Sequence, residues 1–389
     1  MISLYFHIPY CIRKCRYCDF CSVPVNETID GYADALIREL ALKKEQYPDE
    51  TTRTVFFGGG TPTTLRADDL CRVLELANRL FPLAEDAEIS IECNPKTASL
   101  QSLKTLHGGG FNRISIGLQS TDDSLLRRIC RVHSCDDFLQ TFEWARTAGF
   151  ANINVDLMHG LPGQTTEQYL GSLQQVFELQ PEHISAYSLI LEEGTPLAED
   201  VARGKETLPD PDTVADMQDA GMDALEHAGY LRYEISNFAR PGYSCRHNLT
   251  YWNNEPYLGF GVAAHSSMGN GTKWYRFSNT DSIPQYLRKI AAGRVPEAER
   301  ILINTFERMF ETVMLGLRKT EGVSYASFSR MFGCDLKNVF AEAIERNRVR
   351  ALWEPDPERL RLNRRGLDLL NMVLLDFQER NYWDLLKAD

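Results

Sequence analysis

No run of apolar residues in this 389-residue chain approaches the length needed to cross a bilayer. Its opening, Met1-Ile2-Ser3-Leu4-Tyr5-Phe6-His7, has neither the charged stretch nor the small-residue cleavage site of a secretory leader, and Leu4–Ile8 reads better as a first strand. Basic residues are the minority sign: 42 Lys and Arg against 54 Asp and Glu give a net charge of -12. That balance argues against a broad nucleic-acid-binding face. Low-complexity tracts are missing, and so is any repeat beyond a strand–helix alternation. The expectation is a cytoplasmic chain that engages no nucleic acid.

Cysteine, by contrast, is plentiful, with ten residues. Cys71, Cys93 and Cys130 lie in apolar segments and read as small buried hydrophobes. Cys11, Cys15, Cys18 and Cys21 crowd together between positions 11 and 21. In a long cytosolic chain such a cluster indicates metal binding before disulfide bonding.

Short β-branched or apolar runs alternate with longer amphipathic ones. Candidate strands are Leu4–Ile8, Thr54–Phe57, Ile89–Glu92, Arg113–Leu118, Asn152–Leu157 and Ile184–Leu189; helical patterns include Tyr32–Lys44, Asp68–Leu80, Asp136–Ala148 and Glu167–Leu179. This alternation predicts an α/β fold of right-handed βαβ units with a parallel sheet. About six units suit a full or partial (β/α) barrel, with a doubly wound open sheet as the competing arrangement. Gly58–Gly60, Glu92, Gln119 and Asp156 fall just after strands, where parallel α/β folds bind ligands. Taken singly, most of them are better read as ordinary turn or cap residues.

Three regions follow. Residues 1–236 carry the α/β core; 237–300, rich in Gly, Asn, Tyr and Trp and weakly periodic, is expected to be an irregular connecting segment. Residues 301–389 read as a smaller helical, winged-helix-like accessory domain. It has a helix from Ile301 to Leu317, helices near Tyr325–Met331 and Asp335–Arg346, a hairpin of Val349–Trp353 with Arg359–Leu362, and a last helix at Gly366–Phe377. With this acidic balance, packing is favoured over DNA binding.

The segment Cys11-Ile12-Arg13-Lys14-Cys15-Arg16-Tyr17-Cys18 is a C-x3-C-x2-C loop directly after the first strand. Three thiolates on such a loop can hold three irons of a cubane and leave the fourth open for a chelating ligand. Arg13, Lys14 and Arg16 would favour thiolates. Cys21 as a fourth ligand would close the cluster into an electron carrier. A four-cysteine zinc site needs two separated pairs, which are not evident.

This spacing, with aromatic Tyr17 before the last cysteine and Gly58-Gly59-Gly60-Thr61-Pro62 after the second strand, resembles the radical S-adenosylmethionine enzymes. The resemblance implies a [4Fe–4S] cluster on Cys11, Cys15 and Cys18, with S-adenosylmethionine chelating the open iron. Tyr5-Phe6-His7-Ile8-Pro9, Glu92, Gly117-Leu118-Gln119, Arg131, Asn154-Val155-Asp156 and Gly160-Leu161-Pro162-Gly163 are similar to the oxygen-independent coproporphyrinogen III oxidases. Carried over, Tyr5, Tyr17, Gly59 and Glu92 would contact the cluster-bound S-adenosylmethionine. Gly60, Thr61, Gln119, Arg131 and Asp156 would contact a second one. Asp156 suits ribose hydroxyls and Arg131 a carboxylate; a structural ion pair is the competing role for both.

Two departures weaken an oxidase assignment. The chain starts four residues before Tyr5, without the oxidases' N-terminal extension, and Phe20 stands where they have a cysteine. His247-Asn248-Leu249-Thr250-Tyr251-Trp252, with Tyr233–Phe238 and Gly259–Ser266, instead resembles the H-N-x-x-Y-W branch of related heme chaperones. That branch implies heme as a ligand, with His247 the candidate contact and Cys245 and His265 as alternatives. A histidine among aromatics is more commonly a packed residue. The expected partners are heme and heme-accepting proteins such as respiratory enzymes, a membrane-associated acceptor among them, with a homodimer as a candidate state. Oxidative decarboxylation of coproporphyrinogen III is the rival activity. A nucleic-acid-modifying radical enzyme is disfavoured by charge.

Overall fold

The structure is a computed structural model and describes residues 1–270 and 273–378. Six parallel strands follow in chain order: β1 Ile2–Ile8, β2 Thr52–Gly59, β3 Leu83–Cys93, β4 Arg113–Gln119, β5 Ile153–His159 and β6 His183–Ser188. β1, β4 and β5 are buried nearly throughout, as expected of strands covered on both faces. Six further strands extend the sheet: β7 Leu231–Arg232, β8 Asn237–Ala239, β9 Tyr257–Phe260, β10 His265–Asn270, β11 Lys273–Asn279 and β12 Glu297–Ile303.

The resulting order is β12-β11-β10-β9-β1-β2-β3-β4-β5-β6-β8-β7. The seven central strands, β9 and β1 to β6, pair in parallel, and antiparallel strands finish both edges. Because β1 to β6 run in sequence without a reversal, this is a barrel-type winding rather than a doubly wound one. The sheet ends at β12 and β7 without closing, so the barrel is partial. The intervening helices bury one stripe each; Thr166–Leu179 buries Tyr169, Ser172, Leu173 and Val176 and starts on a Thr165–Gln168 capping box.

Segment 237–300 corrects the expectation of irregular structure. It forms helix Arg246–Trp252, strands β9 to β11, helix Ile283–Ala291 and most of β12. Its hidden organiser is an ion pair inside helix Tyr32–Gln46: Glu39 and Lys43 lie 2.9 Å apart with side chains 0% and 1% exposed. Glu39 accepts from the Gly261 amide, the Tyr286 hydroxyl and the Asn279 amide, each at 2.7 Å. Lys43 donates to the Gly259 carbonyl. Buried charges persist only when their donors and acceptors are filled, and here the partners come from the segment itself.

A second core, including Phe306, Val313, Leu317, Phe328 and Phe340, holds the C-terminal part together. Its first helix is Thr305–Gly316, not Ile301–Leu317, because an Asn304–Glu307 capping box starts it and Ile301 belongs to β12. The predicted Asp335–Arg346 helix is two, Leu336–Val339 and Ala341–Val349, so Val349 ends a helix rather than opening a hairpin. The hairpin pairs Trp353–Glu354 with Arg359–Leu362, and Val323–Ser324 adds a third strand. The last helix is split into Arg364–Asp368 and Leu370–Phe377. Positions 379–389 of the 301–389 assignment lie outside the described residues. Among the described residues no helix is long and apolar enough to cross a membrane.

Candidate functional site

The C-terminal ends of β1 to β6 open on one side, and the cysteine loop leaves β1 there. A cavity of about 470 Å³ runs from this loop into the sheet's interior. Cys11, Cys15 and Cys18 line it together with Tyr17, Gly59, Gly60 and Thr61. Glu92, Gln119, Arg131 and Asp156 complete the predicted set on the same wall. Strand alternation explains the grouping: Arg113, Ser115, Gly117 and Gln119 of β4 all face the cavity with a period of two.

All ten cysteines are free. Among the described residues no three His, Cys, Asp or Glu side chains converge closely enough to hold one metal ion. Three thiols spread on one cavity wall suit the wider separation of a cubane's irons better than a single zinc. Thr61 Oγ1 lies 3.5 Å from Cys11 Sγ, and Arg131 Nη1 donates to Cys15 Sγ at 3.5 Å. Burial pushes the Cys18 thiol up to about 11, so iron would have to hold its thiolate. Cys21 is turned elsewhere, its thiol 3.5 Å from the Asp281 carbonyl, and does not line the cavity.

The cations expected beside the thiols are rearranged. Arg16 is paired with Asp200 at 2.6 Å and Glu206 at 2.9 Å, and Lys14 donates to the Phe20 carbonyl. Arg131, distant in sequence, takes the place at Cys15 instead. Its other nitrogen donates to the Gly117 carbonyl at 2.6 Å and to Asn94. Sequence reasoning passed over Asn94, which also donates to Thr61 Oγ1 at 2.7 Å.

Gly59 and Gly60 are required by the backbone. Gly59 has φ 109°, and a Cβ there would lie 2.5 Å from the His7 ring; a Cβ on Gly60 would lie 2.8 Å from the Tyr10 carbonyl. The Gly59 amide donates to Glu92 Oε2 at 3.1 Å. Burial, then the neighbouring Asp156, pushes the Glu92 carboxyl up to about 8. Asp156 is also raised by burial; it accepts from Asn154 Nδ2 at 2.7 Å and Ser115 Oγ at 3.3 Å. Neither Asp156 nor Arg131 makes an ion pair among the described residues; Arg113 acts on Asp156 through its charge alone. Two buried carboxyls with no hydrogen-bonded cation suit a ligand that brings amino N–H donors or hydroxyls. Gln119 closes β4 at φ 72°, unusual for a residue with a side chain, and accepts from the Tyr187 hydroxyl at 3.0 Å.

Tyr5 and His247 stand behind the wall rather than on it. The Tyr5 hydroxyl meets His7 Nδ1 at 3.1 Å, and burial holds its phenol well above the usual range. His247 is 1% exposed, and its ring stacks on Phe56 at 5.0 Å. Thr54 directs its hydroxyl proton to Ser3, so His247 Nδ1 is the donor in the 2.8 Å contact with Thr54. Nε2 then accepts from Tyr251 at 2.9 Å. In the structure His247 has no free lone pair and does not line the cavity; Tyr251, one helical turn on, is its hydrogen-bond partner. Burial keeps the ring neutral, at about 3. Cys245 is buried against Glu88, while His265 is exposed at the start of β10.

The thiols, glycine turn and unpaired buried carboxyls fit a cluster with a chelating zwitterion. Comparisons with known proteins agree. The Radical SAM superfamily pattern matches residues 5–176, and the HemN C-terminal domain matches residues 305–369. The chain is 40% identical over 349 residues to heme chaperone HemW of Bacillus subtilis, covering 89% of this chain and 90% of that one. It is 35% identical over 376 residues to heme chaperone HemW of Lactococcus lactis, covering 96% and 97%. Among solved structures, coproporphyrinogen III oxidase (HemN) of Escherichia coli superimposes with a TM-score of 0.82 at 25% identity, over 97% of this chain and 89% of that chain. With such identity along nearly its whole length, the chain belongs to the HemW family of the radical S-adenosylmethionine superfamily.

Proposed function

We propose that this protein is a heme chaperone, which binds heme and passes it to heme-accepting proteins, respiratory enzymes among them. The observation that carries the reading is one cavity uniting the three loop cysteines with Glu92, Arg131 and Asp156, in a chain whose relatives are named heme chaperones. Cys11, Cys15 and Cys18 hold the [4Fe–4S] cluster in this reading. Glu92 and the turn at Gly59 receive the methionine end of S-adenosylmethionine. Asp156 takes ribose hydroxyls and Arg131 a carboxylate. The bound cluster and cofactor supply one-electron chemistry at the sulfonium; the chain's own part is to orient that group and exclude water.

For heme iron, His265 is the one of the two motif-region imidazoles, His247 and His265, that is open to solvent. His247 would reach heme only after its bonds to Thr54 and Tyr251 break. A reducing cytoplasm suits four neighbouring free thiols. Delivery to a membrane-associated acceptor and action as a homodimer belong to the same proposal.

An anaerobic heme titration of cluster-loaded protein, read at the Soret band, tests it. Saturable binding at micromolar heme is expected, weakened at least tenfold in His265→Ala. No binding would overturn the reading and return the oxidase, whose fold this chain shares. Protoporphyrinogen formation from coproporphyrinogen III under anaerobic turnover would then be the measurement.

A further inference from the structure

The interior end of the cavity, farthest from the cysteine loop, holds a guanidinium that no hydrogen bond engages. Arg113 opens β4, is 2% exposed and faces the cavity. It has no hydrogen-bond or ion-pair partner among the described residues, and its buried Nε is left without an acceptor. The nearby carboxylates are already engaged. Glu88 accepts the backbone amides of Arg246 at 2.9 Å and His247 at 3.0 Å, and Asp156 is bonded to Asn154 and Ser115. The charges of Glu88 and Asp156 act on Arg113 from a distance, but buried N–H donors without acceptors remain expensive unless something anionic or strongly polar meets them.

On the same cavity lining is Asn248, the second residue of the H-N-x-x-Y-W motif, on the helix whose Cys245 cap and His247 both feel the Arg113 charge. Its side chain likewise has no hydrogen bond among the described residues. The neighbouring Asn154, Ser185 and Asn237 are bonded to one another and to Glu234, which leaves Arg113 and Asn248 as the open donors. His247 explains why Asn248 is held there: packed on Phe56 and tied to Thr54, it fixes the helix whose next residue turns into the cavity.

We propose that Arg113 and Asn248 form a carboxylate-binding subsite at the cavity floor. A guanidinium fork with one amide donor beside it matches the two oxygens of a carboxylate. A cavity of about 470 Å³ limits the ligand to small-molecule size. The carboxylate has two available sources: the amino-acid end of an S-adenosylmethionine molecule, or a separate small carboxylic acid. Only the first source rests on the cofactor reading given above.

Cluster-loaded protein is titrated with S-adenosylmethionine, and then, once saturated, with sodium propionate and with propionamide, by calorimetry. The proteins are wild type, Arg113→Gln and Asn248→Ala, each checked by thermal melting. S-adenosylmethionine affinity at least tenfold lower in both variants assigns the subsite to the cofactor. Unchanged cofactor affinity, with propionate but not propionamide binding to wild type and lost in the variants, assigns it to a separate acid. If cofactor affinity is unchanged in Asn248→Ala and wild type does not prefer propionate to propionamide, the proposal is overturned. Those arms stand even if Arg113→Gln fails to fold. Heme titration of the same variants is read separately, so failure of the heme reading leaves this result intact.

Discussion

Arg16, which stands between Cys15 and Cys18, is paired at 2.6 Å with Asp200, 184 residues later in the chain. The same guanidinium donates to Glu206 at 2.9 Å and to the Arg128 carbonyl at 2.7 Å. Its backbone is held as well: its amide donates to the Ile129 carbonyl at 3.2 Å, and its carbonyl accepts from Leu197 at 2.9 Å. The cysteine loop is therefore fastened to the wall of the cavity by the residue between two of its thiols.

Releasing that fastening is expected to loosen the cluster more than the fold. Charged hydrogen bonds contribute about 1.5–3 kcal/mol, less where partly exposed, so Arg16→Ala should weaken the loop by on the order of 1–2 kcal/mol. Chelator should then extract iron several-fold faster, followed by loss of cluster absorbance under anaerobic conditions, with Arg16→Lys in between. An unaltered extraction rate would show that the loop holds its shape without the clamp.

The buried hydrogen bonds of His247 lead to a different expectation for the motif. Removing the ring leaves Thr54 and Tyr251 unpaired and opens a void against Phe56. His247→Ala should cost about 2–4 kcal/mol of stability, measured by denaturant unfolding. Loss of heme binding with unfolding unchanged would instead make His247 a ligand.

How much of this was readable beforehand follows from the range of the interactions. The cysteine spacing and glycine turn are local, and β4 and β5 placed Gln119 and Asp156 by simple alternation, so those residues meet where the pattern put them. Arg113 carries the same signal, an even number of residues from Gln119, and was open to discovery by that rule. His247 and Tyr251, four apart, already mark one face of a helix. Arg16 could not be placed from sequence, because its acids come from a distant segment. Segment 237–300 looks irregular in sequence because its order comes from strand pairing with β1 and from Glu39, neither of which leaves a local period.

The Glu39–Lys43 pair allows a direct test of that last point. Breaking a buried pair by removing one partner typically costs about 3–5 kcal/mol. Glu39→Ala also leaves the Gly261 amide and the Tyr286 hydroxyl without acceptors. Its unfolding free energy should fall by that amount, with amide exchange rising first in β9 to β11. Faster exchange confined to helix Tyr32–Gln46 would show that the segment is held by strand pairing alone.

Glu92 should make stability and cofactor affinity respond to pH in opposite directions. Its carboxyl is raised from 4.5 to about 8, so between those values the cofactor-free folded chain binds more protons than the unfolded one. Its contribution to stability therefore falls as pH rises through this window. The buried histidines have the opposite sign: His133 and His247 at about 3 and His159 at about 4 make the folded chain gain stability as pH rises toward 6.5. Above 6.5 those contributions are complete, which leaves pH 6.5 to 8 for Glu92. Amino N–H donors of the bound cofactor placed on Glu92 favour the ionised carboxylate, so S-adenosylmethionine binding should release a proton and tighten with pH across the same interval, by up to tenfold per unit. Glu92→Gln should flatten both profiles. A cofactor affinity independent of pH in wild-type protein would place the amino group away from Glu92.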